Sequence, residues 1–225
     1  MKEHPIIFQD AMVRALLAGT KSQTRRAIKP QPVYAGGAWK CADGSTHQAT
    51  RPSKSILASC PYGQPGDHLY VREAFSGPRC MDTAPPSKWG RSSRIWYWAD
   101  GNPESGDWTK PKPSIHMPRW ASRILLEVTE VRVQRLWEIS EADAIAEGVE
   151  AIPYTGPNAG PNRYSVGDSS VGWANFPTAR EAYAHLWDQI NGAGSWDANP
   201  WVWAVAFQGL NASALIAGED TETGA

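Results

Sequence analysis

The run Lys21-Ser22-Gln23-Thr24-Arg25-Arg26 brings a hydroxyl nucleophile, an amine and two guanidinium forks close together. A threonine hydroxyl attacks poorly at neutral pH unless a neighbouring base takes its proton. Lys21 meets that need only if burial lowers its pKa enough to leave a free amine. A spacing of three puts Lys21 and Thr24 on one side of a helical or turn-like segment, but on opposite faces of a flat strand. Chemistry between them therefore requires a turn or a bulge. Arg25 and Arg26 suit phosphate or carboxylate binding. The plainer reading of the same run is a solvated basic turn.

A second candidate group is Glu147, beside Gly148 and close in sequence to Glu141, Asp143 and Glu150. A carboxylic acid that donates a proton near neutrality must have its pKa raised by desolvation or by other carboxylates. By composition alone this glutamate reads as part of a solvated helix face. His116 keeps company with Arg119 and Trp120, which makes a substrate- or nucleic-acid-binding role at a pocket edge conceivable. Cys41, His47, Cys60 and Cys80 lack the closely paired spacing of common zinc modules, so no metal and no cofactor is expected.

The elements that must position these groups follow from pattern. Asp10 to Gly19 has apolar residues at helical spacing, with Asp10 as a candidate cap and Gly19 as the stop, so the basic run sits at a helix exit. His68 to Phe75 alternates as a strand, and Arg123 to Val133 is dense in aliphatic and β-branched residues, as a strand should be. Ser140 to Gly148 predicts a short helix with a capping box and a glycine stop. Thr178 to Asn191 predicts an amphipathic helix that shows Tyr183, Leu186, Trp187 and Ile190 to a partner surface. Trp201 to Phe207 alternates large and small side chains, as expected of a closing barrel strand, after a turn at Asn199-Pro200. The segments 31–65, 76–120 and 151–177 are rich in Gly and Pro and read as mostly irregular insertions, and 211–225 as a disordered tail. The expectation is one domain over residues 1–210, of α+β class, a small mixed β-barrel with peripheral helices and long loop insertions.

The chain has 225 residues, a net charge of −1 and an ordinary 41% hydrophobic content. No overall field draws it onto long nucleic acid, so any basic surface is local. Up to Pro30, six basic residues against Glu3 and Asp10 leave a net +4, the natural place for phosphate contacts. Twelve tryptophans are a large excess. Most should fill core volume, with one or two left to stack on a base. An odd number of cysteines and the absence of a signal core predict reduced cytoplasm, and no apolar stretch predicts a membrane span.

The order of these pieces resembles the ASCH domain of the PUA-like superfamily. LLAGTKSQTRR is similar to the (L)LAGxKxxTxR signature of that group, and SEADAIAEG to its short acidic helix. CPYGQPGDHLYVREAF, PSIHMPRWASRI and LWDQINGAGSWDANPWVWAVAF resemble its longer phage and prophage members. The resemblance covers roughly half the chain. It extends to the N4-acetylcytidine amidohydrolases of the group at Lys21, Thr24 and Glu147, and implies Lys21 as proton acceptor, Thr24 as nucleophile and Glu147 as proton donor. The implied function is deacylation of N4-acylated cytosine nucleosides. The alternatives are a non-catalytic module that binds RNA or DNA carrying modified bases, and a single-strand ribonuclease.

Overall fold

A computed structural model describes residues 1–35, 38–40, 46–47, 57, 59–153, 163–166 and 176–210, without the side chains of 34–47. Its strands are β1 (Glu3–Ile7), β2 (Gln23–Ala27), β3 (Val33–Ala35), β4 (Ala38–Lys40), β5 (Thr46–His47), β6 (His68–Arg72), β7 (Phe75–Ser76), β8 (Trp96–Tyr97), β9 (Leu125–Arg135), β10 (Glu150–Ile152), β11 (Arg163–Ser165) and β12 (Trp201–Gly209). The helices are α1 (Asp10–Leu17), α2 (Glu141–Ala146) and α3 (Ala179–Asn191). The class is α+β, built on a five-stranded mixed sheet in the order β1-β6-β9-β12-β2. β1 runs parallel to β6, and the other neighbours are antiparallel. Among the described residues β1 and β2 are the two edges of this sheet and do not pair with each other.

β12 occupies an interior position between β9 and β2. Its alternation of large and small residues does not mark one wet face, because Trp201 through Val205 are all buried. Large side chains fill one covered side, and small ones let elements approach the other. A register shift between Ala206 and Phe207 lets Phe207 turn into the core, where it meets Phe8 edge-on at 6.3 Å.

The helix ends follow local chemistry. Ser140 caps α2 by accepting from Asp143 N–H at 3.0 Å while Asp143 accepts from Ser140 N–H at 3.2 Å. The chain leaves α2 through Gly148 at φ +96, a conformation a side chain would resist. Glu141 accepts from Ala179 N–H at 2.8 Å, which places a carboxylate at the amino end of α3 and fixes α2 against it. The cap of α1 differs from expectation. Gln9 holds the cap position without a side-chain bond, and Asp10 lies in the first turn.

The strand expected over His68 to Phe75 breaks after Arg72. Arg72 donates to the carbonyl of Met117 at 2.9 Å and to that of Ile115, while Glu73 is buried against Arg123. Beyond the break, the first part of the 76–120 segment joins a separate small core of Phe75, Trp89, Met117 and Ala121. Short strands also form where no periodicity was legible: β3 to β5 make a three-stranded sheet within 31–65, and β10 pairs with β11 within 151–177. The tail 211–225, Cys41, Trp173 and the side chains of Trp39 and His47 lie outside the described residues. Among the described residues no helix is long and apolar enough to cross a membrane.

Gly77 sits where a Cβ would lie 2.4 Å from the Trp89 ring. Gly77→Ala must therefore displace the largest member of the small core, at a cost of about 1–3 kcal/mol. A thermal melt is expected to show a fall of several degrees, and an unchanged melt would show that Trp89 moves freely.

Candidate functional site

α1 ends at Leu17, and Gly19 reverses the chain at φ +74 so that Thr20 and Lys21 both donate their N–H to Ala15 O. β2 begins only at Gln23. Lys21 therefore belongs to the helix exit and Thr24 to the strand, and this turn removes the opposite-face problem that a continuous strand would pose. Ser22 then links both partners, donating to Ala146 O at 2.9 Å and accepting from Phe207 N–H at 2.9 Å. The carboxyl end of α2, with Glu147 one residue on, is thereby held against the start of β2.

Lys21 is 4% exposed and Glu147 3%. Lys21 Nζ donates to Gln23 O at 2.8 Å, to Glu147 O at 2.6 Å and to Glu147 Oε2 at 3.1 Å. Arg25 Nη1 donates to Glu147 Oε1 at 3.1 Å. Arg25 Nη2 lies 3.1 Å from Asp143 Oδ2 but off the line for a hydrogen bond, so that contact is ionic. Gln23 Nε2 reaches Asp143 Oδ1 at 3.2 Å, and Arg132 Nη2 reaches Gln23 Oε1 at 2.7 Å. The network thus runs from Lys21 through Glu147, Arg25 and Asp143 to β9.

Burial pulls the Lys21 amine below its ordinary value, and the Glu147 carboxylate opposes the shift. Tyr183 on α3 is buried beside Glu147, and its phenol is pushed well up, first by desolvation and then by that carboxylate's charge. Burial would raise Asp143, but hydrogen bonds from Ser140 and the Arg25 charge outweigh it and hold the carboxyl at about 2.

One cavity of about 250 Å³ opens beside this network. Lys21, Thr24, Arg25, Arg26 and Glu147 line its polar side, and Phe8, Met12, Leu186, Trp187 and Ile190 its apolar side. Thr24 is buried and lines the same cavity. Phe8 lies under both cations, with Lys21 Nζ 5.5 Å and the Arg26 guanidinium carbon 5.2 Å from its ring centre. Arg26 Nη2 also donates to Ile7 O at 2.6 Å, reaching from one edge strand of the sheet to the other.

No family model matches the chain, and no curated protein does. One solved structure is similar, protein EF3133 from Enterococcus faecalis V583 of the DUF984 family model. It shares 8% identity over 93% of this chain and 81% of that one, with a TM-score of 0.38. What stands is a small mixed-sheet α+β domain.

The structure brings Lys21, Thr24, Arg25, Arg26 and Glu147 to one cavity and leaves the other expected binding residues elsewhere. His116 is exposed at the end of a 3-10 turn. Arg119 is half in solvent, clamps Glu3 with bonds of 2.6 and 2.7 Å, and stacks on Tyr70 at 5.1 Å. Trp120 packs against the small core. Of the cavity's apolar residues, Met12 and Trp187 were legible only as apolar positions on helical faces, and Phe8 carried no signal in the sequence. For Trp187 the signal was the helical face it shares with Leu186 and Ile190. Among the described residues no cluster has the makings of a metal site. Burial pushes the Cys60 thiol up to about 11, and Cys80 is exposed.

Asp143 completes the capping box of α2 by accepting from Ser140 N–H and supplies a counter-charge for Arg25, so its ionised form is bound more tightly in the folded state. A carboxyl lowered from 3.8 to about 2 contributes stability that is fully present above about pH 4 and is lost as pH falls through 2. Asp143→Asn is expected to be less stable than the parent by about 1 kcal/mol at neutral pH. In urea titrations the gap between the two proteins should close between pH 4 and pH 2. A gap independent of pH would show that the charge of Asp143 does not matter.

Proposed function

We propose that the chain is an amidohydrolase of ASCH type that removes the acyl group from N4-acylated cytosine nucleosides. The observation that carries this reading is the buried Lys21–Glu147 pair, 3.1 Å apart, in the wall of a cavity that Thr24 also lines. Transfer of one proton from Lys21 Nζ to Glu147 Oε2 converts two buried charges into a neutral amine and a neutral acid. Low dielectric favours that exchange. The amine then accepts the Thr24 Oγ proton as Oγ bonds to the acyl carbon. As the C–N bond breaks, Glu147 gives its proton to the departing N4 amino group. Water cleaves the resulting ester, releases the carboxylic acid and restores the Thr24 hydroxyl.

On the same reading, the five-stranded sheet is a PUA-like barrel whose seam lies between β1 and β2, with Arg26 and Phe8 at the seam and the substrate cavity beside it. The cellular setting would be the cytoplasm of a bacterium that carries a phage or prophage. The apolar side of the cavity fits the flat base and its acyl group, while the cations face its polar edge.

One observation favours a second reading, a non-catalytic module for modified bases in RNA or DNA. All three Lys21 protons are donated to acceptors, as suits a permanently charged lysine. A single-strand ribonuclease has less support, since no histidine among the described residues lines the cavity.

Thr24→Val separates the first two readings, because it keeps shape and strand preference and removes only the hydroxyl. Ultraviolet absorbance of N4-acetylcytidine mixed with the parent protein is expected to change as the amide is cleaved. The variant should turn over at least about 10³-fold more slowly. Its ligand affinity should change by no more than one hydrogen bond, about 1–3 kcal/mol. No turnover by the parent, or undiminished turnover by Thr24→Val, would end the proposal.

A further inference from the structure

By residue type Arg25 suits an anionic ligand, but its surroundings give it a different task. It borders the Lys21 cavity, yet its side chain is 0% exposed, so the guanidinium is closed to anything that enters. Its backbone pairs with Ala204 of β12. Nη1 donates to Glu147 Oε1 at 3.1 Å and Nη2 stands 3.1 Å from Asp143 Oδ2, while neither Nε nor Nη2 has a hydrogen-bond partner. Buried donors are ordinarily satisfied, so a guanidinium with two of its three nitrogens unsatisfied makes a poor structural clasp. What it supplies is a positive charge at one oxygen of one carboxylate.

Glu147 thus has a different cation on each oxygen, Arg25 at Oε1 and Lys21 at Oε2. That division matters to a shared proton. An arginine neither gives up nor takes a proton near neutrality, so with Oε1 engaged by Arg25 the exchange falls to Oε2, which faces the lysine amine. The charged and titratable groups that face the pair are Arg25 and Arg26 of β2, Asp143 of α2 and Tyr183 of α3. Burial does most to lower the Lys21 amine, Glu147 opposes it, and the charges of Arg26 and Arg25 add to the lowering. Arg26 is engaged with the Phe8 ring and Ile7 O, and the Tyr183 phenol, pushed well up, carries no charge near neutrality. Arg25 is the second cation in contact with the carboxylate, and Asp143 offsets it from the other side.

We propose that Arg25 is a positioning residue for the deacylation: by holding Glu147 Oε1 it places the shared proton between Lys21 Nζ and Glu147 Oε2, and its charge, moderated by Asp143, sets the pH range in which the pair keeps that proton. The kinetic consequence rests on the amidohydrolase reading, whereas the effect on Lys21 follows from the geometry alone. The capping box of α2 thereby reaches the reacting groups, because the Asp143 that closes it is also the counter-charge of Arg25.

The test combines kinetics with a measurement that needs no turnover. In the proposed reaction the pair must hold one proton, so the fall in kcat/KM for N4-acetylcytidine at high pH follows loss of the Lys21 proton. Arg25→Gln keeps a donor for Oε1 and removes the charge, so that fall should move up by roughly one pH unit, and Arg25→Lys should restore it. Asp143→Asn leaves Arg25 uncompensated and should move it down. Nuclear magnetic resonance of the Lys21 side chain, assigned by its loss in Lys21→Met, should show the amine titrating with the same two opposite displacements. Opposite signs are what charge requires, whereas loosened packing would hydrate Lys21 and move both variants up. Unchanged titration in Arg25→Gln and Asp143→Asn, or displacement of both in one direction, overturns the proposal. If Arg25→Gln does not fold, Asp143→Asn decides alone, by moving the titration down or failing to. If the parent does not cleave N4-acetylcytidine, the amidohydrolase reading ends, while the Lys21 titration still decides whether Arg25 governs the pair.

Discussion

The side chain of Lys21 is only 1% exposed, and most of the site's architecture answers the cost of burying its ammonium. Burying an unpaired cation costs several kcal/mol, and a buried ion pair repays this only with good geometry and further hydrogen bonds. Lys21 receives two backbone carbonyls and a carboxylate, one acceptor for each proton. Glu147 is balanced in turn by Arg25, and Arg25 by Asp143. The chain of compensation ends only where Asp143 is 18% exposed and Arg132 37% exposed, near enough to solvent for water to take over. Removing Glu147 would leave both Lys21 and Arg25 charged and dry.

That dependence explains why the pieces are tied where they are. Two of the three acceptors for Lys21 come from a single residue, Glu147, which offers both its carbonyl and its carboxylate. A residue at a helix end is suited to this, since its carbonyl has no partner within the helix. The positive φ of Gly148 then turns the chain away while its α-hydrogen passes Lys21. A Cβ at that position would stand 3.5 Å from Lys21 Cβ. The bond from Ser22 N–H to Ala146 O sets the distance between strand and helix. Apolar residues of α1 and α3 cover the assembly, and the covering raises the strength of every charge interaction beneath it.

Local signals proved legible and distant pairings did not. The capping box at Ser140 and Asp143, the glycine stops at 19 and 148, and the buried helical face of Tyr183, Leu186 and Trp187 are all short-range patterns that the structure contains, while Ile190, expected on the same face, is 45% exposed. Strand existence was readable for β9 and β12, but their neighbours were not, because pairing β12 with both β9 and β2 joins residues some 70 and 180 positions apart. Gln9 in place of Asp10 as the cap of α1 is an error of one position, of the size expected at helix ends. Glu147 showed nothing in sequence beyond an acidic helix. Its burial is a consequence of Ser22, Arg25 and α3 arriving from elsewhere. The short pairings within 31–65 and 151–177 carry no hydrophobic period because they are two or three residues long.

The two halves of the molecule use charge in opposite ways. Around Lys21 the cations are desolvated, paired and covered, so their worth lies in what they do to a neighbouring proton or ligand at short range. Salt has little access to them. Elsewhere pairs such as Arg79–Asp107 and Lys112–Asp82 lie in or near solvent, and each contributes little at any one moment, but such charges act at the range of a Debye length. A net charge of −1 for the whole chain conceals this division. Total charge therefore argues only against binding long nucleic acid along the entire surface. It says nothing of a buried cavity, where pairing and desolvation rather than net charge set what each cation does.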